Sequence, residues 1–230
     1  MRILFIRHGK PDYKTDSLLD IGVVQAEAVA QRVKSYGISE LYASSMGRAY
    51  QTAAPISREL GLDIVKCDFM REIKWGSAEE SEIRAGGNPW LLVEDMVKNG
   101  ERLNSPKWRE EEPFLLNTKL HKDADRVIAG ADEWLASLGF VREGNYYRVT
   151  EAAEDKTVAM VSHGGSSTVL LSHMLNIPFP NFCSFFRPYF TSITVVELNG
   201  KAGELCDAKL ITLGERYHVP TDDDAGEIKQ

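Results

Sequence analysis

The sequence predicts an α/β protein, a three-layer α/β/α arrangement around a mostly parallel central sheet with an inserted cap region. Three observations predict it. Strand-like and helix-like stretches alternate through the first 67 residues, the rhythm of a parallel sheet with crossover helices. The runs "RILFI" and "KTVAMV" are apolar without alternation, as strands buried on both faces are. The first two helical stretches close on Gly37 and Gly61, the residue type that ends a helix in a left-handed conformation at no steric cost. At 230 residues the chain has room for one good core with an appended subdomain. It is read as a single domain over residues 1–230.

Each element follows in order. "RILFI" is the first strand, and Gly9-Lys10-Pro11-Asp12 after it is a turn. "LLDIGVVQAEAVAQRVKSYG" places Val23, Ala26, Ala30 and Val33 at helical spacing. "ISELYASS" is a second strand, "MGRAYQTAAPISRELG" a second helix with a kink expected at Pro55, and "LDIVKC" a third strand. From about Ser77 to Glu154 the rhythm breaks, and Trp90, Trp108 and Trp134 are scattered among charged residues. Within it "NPWLLVEDMVKNG" and "LHKDADRVIAGADEWLASLG" read as helices, "KWREEEPF" as a loop and "NYYRVT" as a strand. This stretch, approximately 77–154, is taken as an insertion folded over the sheet. The alternation resumes with the strand "KTVAMVSHGG", the helix "SSTVLLSHMLN" and the strand "FTSITVVELNG". Residues 220–230, "PTDDDAGEIKQ", read as a disordered acidic tail.

Composition removes several classes of function. A formal net charge of −7 argues against broad nucleic-acid binding, which draws its affinity from a basic surface. A few focused arginines still make a local positive cleft on an acidic protein. Apolar runs such as "TVLL" and "ITVV" fall far short of the ~20 residues that span a bilayer. The N-terminus lacks the pattern of a signal peptide, and Cys67, Cys183 and Cys206 are widely separated and odd in number. Both point to a cytoplasmic protein with reduced thiols. No cysteine has a Cys or His at zinc-ligand spacing, so neither metal nor cofactor is expected.

Two strands finish alike, in "LFIRHG" and "AMVSHGG". In an open parallel sheet, ligands bind at the carboxyl ends of the strands, so His8 and His163 are expected at one edge. Arg48 falls just inside a helix start, where backbone N–H groups favour anions and a planar guanidinium suits phosphate. Glu72 follows the third strand, four residues before Gly76. Taken singly, Arg48 and Glu72 also read as solvated surface residues. A zinc site on His8 and His163 would need a third protein ligand, and Arg7 would repel the cation. His173 reads as a packing or surface residue, and His121 and His218 have no motif context.

In order along the chain, "RHG", "S-x-x-x-R-A-x-Q-T-A", "E-x-x-x-G" and "V-S-H-G-G" resemble the motifs of the histidine phosphatase superfamily. This is the phosphoglycerate mutase-like fold, in the branch that holds mutases and small phosphatases. The likeness extends to "LLDIGVVQAEAVA", close to the family's L-T-x-x-G-x-x-Q-A, and to "TSITVVEL"; it leaves out residues 77–154. The resemblance implies a metal-independent phosphomonoester hydrolase that works through a phosphohistidine on His8. Arg7, Arg48 and His163 would clamp the phosphoryl group, with His163 adding charge if it is cationic. Glu72 would be the proton donor, protonated when the ester binds. The implied partner is a small phosphorylated metabolite, with no nucleic acid and no membrane; oligomeric state leaves no sequence trace.

Departures from the family pattern bear on substrate. Mutases usually continue RHG with E-S-x-W-N, and Lys10, Tyr13 and Lys14 stand here where Glu, Trp and Asn would. These three are the substrate-side candidates. Leu19 replaces the threonine of L-T, Phe190 an asparagine before the C-terminal strand, and Thr168 a frequent arginine. The departures weigh against a mutase and leave the hydrolase set intact. A phosphoglycerate-type mutase and a non-catalytic phosphate-binding or scaffold protein stand as alternatives. Substrate choice is expected to fall to the cap region, through its tryptophans and Arg84, Arg102 and Arg109.

Overall fold

In the computed structural model, which describes residues 1–219, β1 (Arg2–Arg7) lies inside a six-stranded sheet. The tail expected at 220–230 lies outside the described residues. Ile3, Leu4, Phe5 and Ile6 of β1 are all buried, because both faces of the strand are covered. A small ribbon of β2 (Pro11–Asp12) and β3 (Ser17–Leu18) follows. Then α1 (Asp20–Val33), β4 (Ile38–Ser44), α2 (Gly47–Leu60) and β5 (Ile64–Cys67) continue the predicted alternation. Beyond them come α3 (Pro89–Lys98), α4 (Thr118–Ser137) and a hairpin of β6 (Phe140–Glu143) and β7 (Tyr146–Val149). The chain finishes with β8 (Thr157–Ser162), α5 (Gly164–Met174), α6 (Phe179–Phe185), β9 (Ile193–Leu198), β10 (Leu205–Cys206) and β11 (Ala208–Glu215).

The sheet order is β11-β9-β1-β8-β4-β5. β1, β8, β4 and β5 run parallel, and β9 and β11 are antiparallel to them. Alternate residues of β1 feed opposite layers. Leu4 and Ile6 join Val29, Ala30, Ala53 and Ile56 of α1 and α2, while Ile3 and Phe5 join Leu120, Val127 and Leu135 of α4 and Leu170 of α5. That division is the predicted three-layer architecture.

Several sequence expectations are corrected in detail. Val23 is about half exposed at 48 %, and the buried face of α1 is Gly22, Gln25, Ala26, Val29, Ala30 and Val33. At this first turn the inward position belongs to Gly22, where a Cβ would meet the Lys10 carbonyl oxygen at 2.1 Å. α2 has the expected extent, with the buried Pro55 inside it and Gly61 closing it. β11 leaves no strand pattern in the sequence because it is an irregular edge strand. Leu210, Ile211 and Leu213 are exposed, and two register shifts break its pairing with β9, so no clean period of two reaches the sequence.

The stretch 77–154 does not pack as one unit. Its α4 supplies Leu120, Ala124, Val127, Ala131, Trp134 and Leu135 to the same core as Phe5 and Met160. All three of its tryptophans are packed, Trp108 against Phe114 and Phe179. Trp134 meets Phe5 edge-on at 6.5 Å, and the Trp90 indole donates to the Phe186 carbonyl at 3.1 Å. Among the described residues no helix is long and apolar enough to cross a membrane.

Gly130 shows how closely α4 is seated, for a Cβ there would lie 2.2 Å from Cβ of Phe69 and 2.4 Å from its Cγ. Alanine in place of a mid-helix glycine gains about 1 kcal/mol in helix propensity, but overpacking a rigid contact costs about 1–3 kcal/mol. Gly130→Ala is expected to be net destabilising, read as a lower urea midpoint at unchanged slope. A higher midpoint would show that Phe69 yields freely.

Candidate active site

Register builds the site. Arg7 of β1 pairs with Ser162 of β8, so the next residues, His8 and His163, leave the sheet level with each other. The His8 amide donates to the Ser162 carbonyl at 2.9 Å, and the two imidazoles meet edge-on with centroids 5.1 Å apart. β4, on the other side of β8, ends at Ser44, whose Oγ lies 2.8 Å from His163 Nε2. Three parallel strands thus deliver their last side chains to one carboxyl edge.

His8 is held in one tautomer. Its Nδ1 is 2.7 Å from the Gly9 carbonyl oxygen, which only accepts, so Nδ1 carries the proton and Nε2 keeps its lone pair. Arg48 Nε–H donates toward that lone pair at 3.2 Å. Burial first, then the charges of Arg7 and Arg48, hold the His8 pKa well below the usual range. The Gly9 amide donates to Thr52 Oγ1 at 3.0 Å, and that hydroxyl donates to the Arg48 carbonyl at 2.8 Å. Gly9 must be glycine, since a Cβ would stand 2.5 Å from the Gly22 carbonyl oxygen.

His163 is fully buried, and burial, followed by His8, Arg48 and Arg7, also holds its pKa well below the usual range. The cationic form considered from sequence is therefore not the resting one. Ser44 Oγ accepts from the Met46 amide at 3.3 Å, and its O–H stays free to donate to His163 Nε2 in the tautomer that carries the proton on Nδ1. The remaining nitrogen, Nδ1, is buried without a partner.

The two arginines are anchored differently. Arg7 Nη1 donates to the Pro188 carbonyl at 2.6 Å, its guanidinium lies 4.1 Å from the Phe190 ring centroid, and its Nε is buried without a partner. Phe190, a departure from the family pattern, is a platform for Arg7. Arg48 is held by Asp16, a residue sequence reasoning missed: Nη1 donates to Oδ1 at 2.5 Å. Asp16 Oδ2 accepts from the Gly47 amide at 2.7 Å. No motif flagged Asp16, because its role exists only once the loop folds back onto α2.

Glu72 sits at the N-terminus of α5. Its Oε1 accepts from the Ile73 and Ser166 amides, each at 2.9 Å, and its Oε2 from the Gly165 amide at 3.2 Å. A carboxylate there meets unpaired helix N–H groups. Gly165 makes room for it, since a Cβ would lie 2.7 Å from Oε1 and 2.4 Å from Ile73 Cγ1.

Among the substrate-side candidates, Tyr13 has its ring 5.5 Å from the Arg48 guanidinium. Lys10 is tied by its backbone to Gln25 at 2.8 Å, and Lys14 is exposed. The cap arginines are engaged elsewhere: Arg84 with Asp95 and Glu101, Arg102 with Asn104, Arg109 with Asp125. His173 pairs with Asp132 at 2.9 Å. His218 reaches Thr191 Oγ1 at 3.3 Å, and the Thr191 amide donates to the carbonyls of Arg7 and His8, so it braces the strand end. Among the described residues no group of three His, Cys, Asp or Glu side chains could hold a metal ion.

The family model for the histidine phosphatase superfamily (branch 1) matches residues 3–208. A probable phosphoglycerate mutase GpmB of Yersinia enterocolitica is 28% identical over 187 residues, covering 77% of this chain and 76% of that protein. A mycobacterial glucosyl-3-phosphoglycerate phosphatase shares the fold with a TM-score of 0.61 and 23% identity, over 93% of this chain and 98% of that one. A phosphoserine phosphatase of Entamoeba histolytica, solved with 3-phosphoglyceric acid, has a TM-score of 0.63 and 21% identity, over 95% and 98% of the two chains.

Two buried neutral histidines make stability depend on pH. Below about pH 6.5 the unfolded chain takes up protons that folded His8 and His163 refuse, so stability falls as pH drops and levels off above that point. Each contributes up to about 1.4 kcal/mol per pH unit, and His121 and His218, also lowered by burial, act in the same sense. Urea unfolding between about pH 7.5 and about pH 5.5 is expected to show the loss. It should shrink in the His8→Asn, His163→Asn double variant, and an equal slope there would place the titration elsewhere.

Proposed function

The chain belongs to the histidine phosphatase superfamily, branch 1, and from that premise we propose that it hydrolyses phosphate monoesters of small metabolites through a phosphohistidine on His8. The observation that carries this reading is the state of His8: proton fixed on Nδ1 by the Gly9 carbonyl, lone pair on Nε2 beside the Arg48 guanidinium. Nε2 attacks phosphorus, the N–P bond forms as the P–O bond to the leaving alkoxide breaks, and the alkoxide takes a proton from Glu72, protonated in the ester complex. Water then attacks the phosphohistidine, Glu72 takes its proton, and His8 is released with inorganic phosphate.

Charge spread over the transferring oxygens needs preorganised donors. Arg7 Nε and His163 Nδ1, both buried without a protein partner, and the Arg48 guanidinium serve as that set. His163 does this as a neutral donor, with Ser44 engaging its other nitrogen. Carboxylate, imidazoles and guanidiniums suffice for each step, with no metal or cofactor in the scheme.

The leaving group departs on the Glu72 side. An open surface depression of about 430 Å³ is lined by Ile73, Lys74 and Trp75, which follow Glu72 in the chain, and by Lys119. Two lysines and an indole suit an organic part that carries a second anionic group. We place substrate selection in this cleft and in Tyr13, with Lys10 and Lys14 at the loop mouth, and take the part of the cap region before α4 as its cover. The buried free thiols of Cys67, Cys183 and Cys206 suit a reducing compartment such as the cytoplasm.

A phosphoglycerate-type mutase is the second reading, favoured by the GpmB relatives. It would return the phosphoryl group to a second hydroxyl rather than to water. Lys10, Tyr13 and Lys14 in place of the mutase pattern favour the hydrolase.

The test is hydrolysis of 4-nitrophenyl phosphate in EDTA with an acid-quench trap for phosphohistidine. His8→Ala is expected to lose turnover and the trapped intermediate together, and Arg7→Ala or Arg48→Ala to lose about 10²–10³-fold in kcat. Glu72→Gln should slow alkyl phosphates far more than the aryl ester, whose leaving group needs little protonation. Undiminished activity of His8→Ala would end the covalent reading.

A further inference from the structure

We infer that Asp16 is a positioning residue of the phosphoryl clamp, acting through Arg48; the inference rests on the hydrolase reading. Both carboxylate oxygens of Asp16 are committed. Oδ1 takes Arg48 Nη1 at 2.5 Å and Oδ2 takes the Gly47 amide at 2.7 Å. With Nη1 on Asp16 and Nε on His8 Nε2 at 3.2 Å, the guanidinium plane is fixed at two points. Its third nitrogen, Nη2, makes no hydrogen bond to protein among the described residues, and is left for a phosphoryl oxygen.

The loop that carries Asp16 is built to keep it there. Asp16 has a left-handed backbone, φ 52°, which aspartate enters more readily than most side chains. A Cβ on Gly47 would lie 2.3 Å from the Asp16 carbonyl oxygen, so the loop passes against α2 where only glycine allows it. The Leu18 amide donates to Gln51 Oε1 at 2.7 Å and the Gly9 amide to Thr52 Oγ1 at 3.0 Å. Three residues of α2 therefore pin the two ends and the centre of the same loop.

Charge gives the placement its purpose. Arg7 and Arg48 both flank the buried His8 and repel each other. Arg48 has 6% of its side chain exposed against 39% for Asp16, so water does little to offset the guanidinium and the carboxylate does it instead. Asp16 holds a buried cation in a defined plane before the phosphate arrives, the preorganisation on which transition-state stabilisation depends.

Asp16 also caps Gly47, so a loss on mutation could come from α2 alone; a double-mutant cycle separates the two. Asp16→Ala is expected to lower kcat for 4-nitrophenyl phosphate by about tenfold or more with a smaller change in KM, and by less than about twofold in an Arg48→Ala background. Asp16→Asn, which keeps an acceptor and tolerates the left-handed backbone, should restore part of kcat. The same cycle is read by calorimetric binding of inorganic phosphate. Equal losses in both backgrounds, or none in either, would overturn the positioning role. A wild-type chain without turnover whose phosphate cycle still couples would instead count against the hydrolase reading and for Asp16.

Discussion

Register between β1 and β8 governs the rest of the molecule's chemistry. Pairing Arg7 with Ser162 sets His8 and His163 side by side, and pairing of β8 with β4 brings Ser44 to His163. A slip of one residue would turn every side chain of β1 to the opposite layer, exchanging Leu4 and Ile6 for Ile3 and Phe5 against two differently shaped helix layers. The unalternating apolar runs that make these strands buried on both faces are thus also what aligns the imidazoles. Core packing and catalytic geometry are the same constraint seen from two ends of a strand.

The second organising theme is the handling of buried charge. Two guanidiniums and two imidazoles share a buried space, and desolvation is the first cause that lowers the pKa of Arg7, His8 and His163. The imidazoles respond by staying neutral, and neutrality lets His8 offer a lone pair. The guanidiniums stay charged and are answered by neighbours of different kinds: a carboxylate for Arg48, a carbonyl and an aromatic face for Arg7. Glu72 is seated on the amides that begin α5, near enough to act on Arg7. Charged groups of both signs therefore coexist within one strand edge without collapsing onto one another.

Much of this was legible in the sequence, and the boundary of legibility is physical. Strands buried along most of their length, such as β1 and β8, and a helix with one consistently buried face, such as α2, imprint a clear pattern on their residues. The candidate residues that end those strands or begin those helices, Arg7, His8, Arg48 and His163, come together in the structure. β11 was illegible because an edge strand with shifted register has no consistent inner face. Residues 77–154 looked foreign because α4 was judged by its charged outer surface, while its inner stripe from Leu120 to Leu135 belongs to the main core. Asp16 was missed, and Ser44 and Phe190, though they stand in or beside the motifs, were not legible as partners of His163 and Arg7, because each contact joins residues distant in sequence. The cap arginines illustrate the converse: charges that looked available are already paired.

The reciprocal contact of Gly9 and Gly22 has a consequence for how this scaffold changes over time. Each glycine leaves no space for a side chain against backbone of the other segment, 2.5 Å to the Gly22 oxygen in one case and 2.1 Å to the Lys10 oxygen in the other. The two positions act as fixed staples at either end of the loop that carries Lys10, Tyr13, Lys14 and Asp16. Between the staples the exposed side chains of Tyr13 and Lys14 form a replaceable cassette, while strand, helix and the pinned Asp16 stay in place. On the hydrolase reading proposed above, a new substrate preference is reached by exchanging the cassette, and His8 beneath it never has to move.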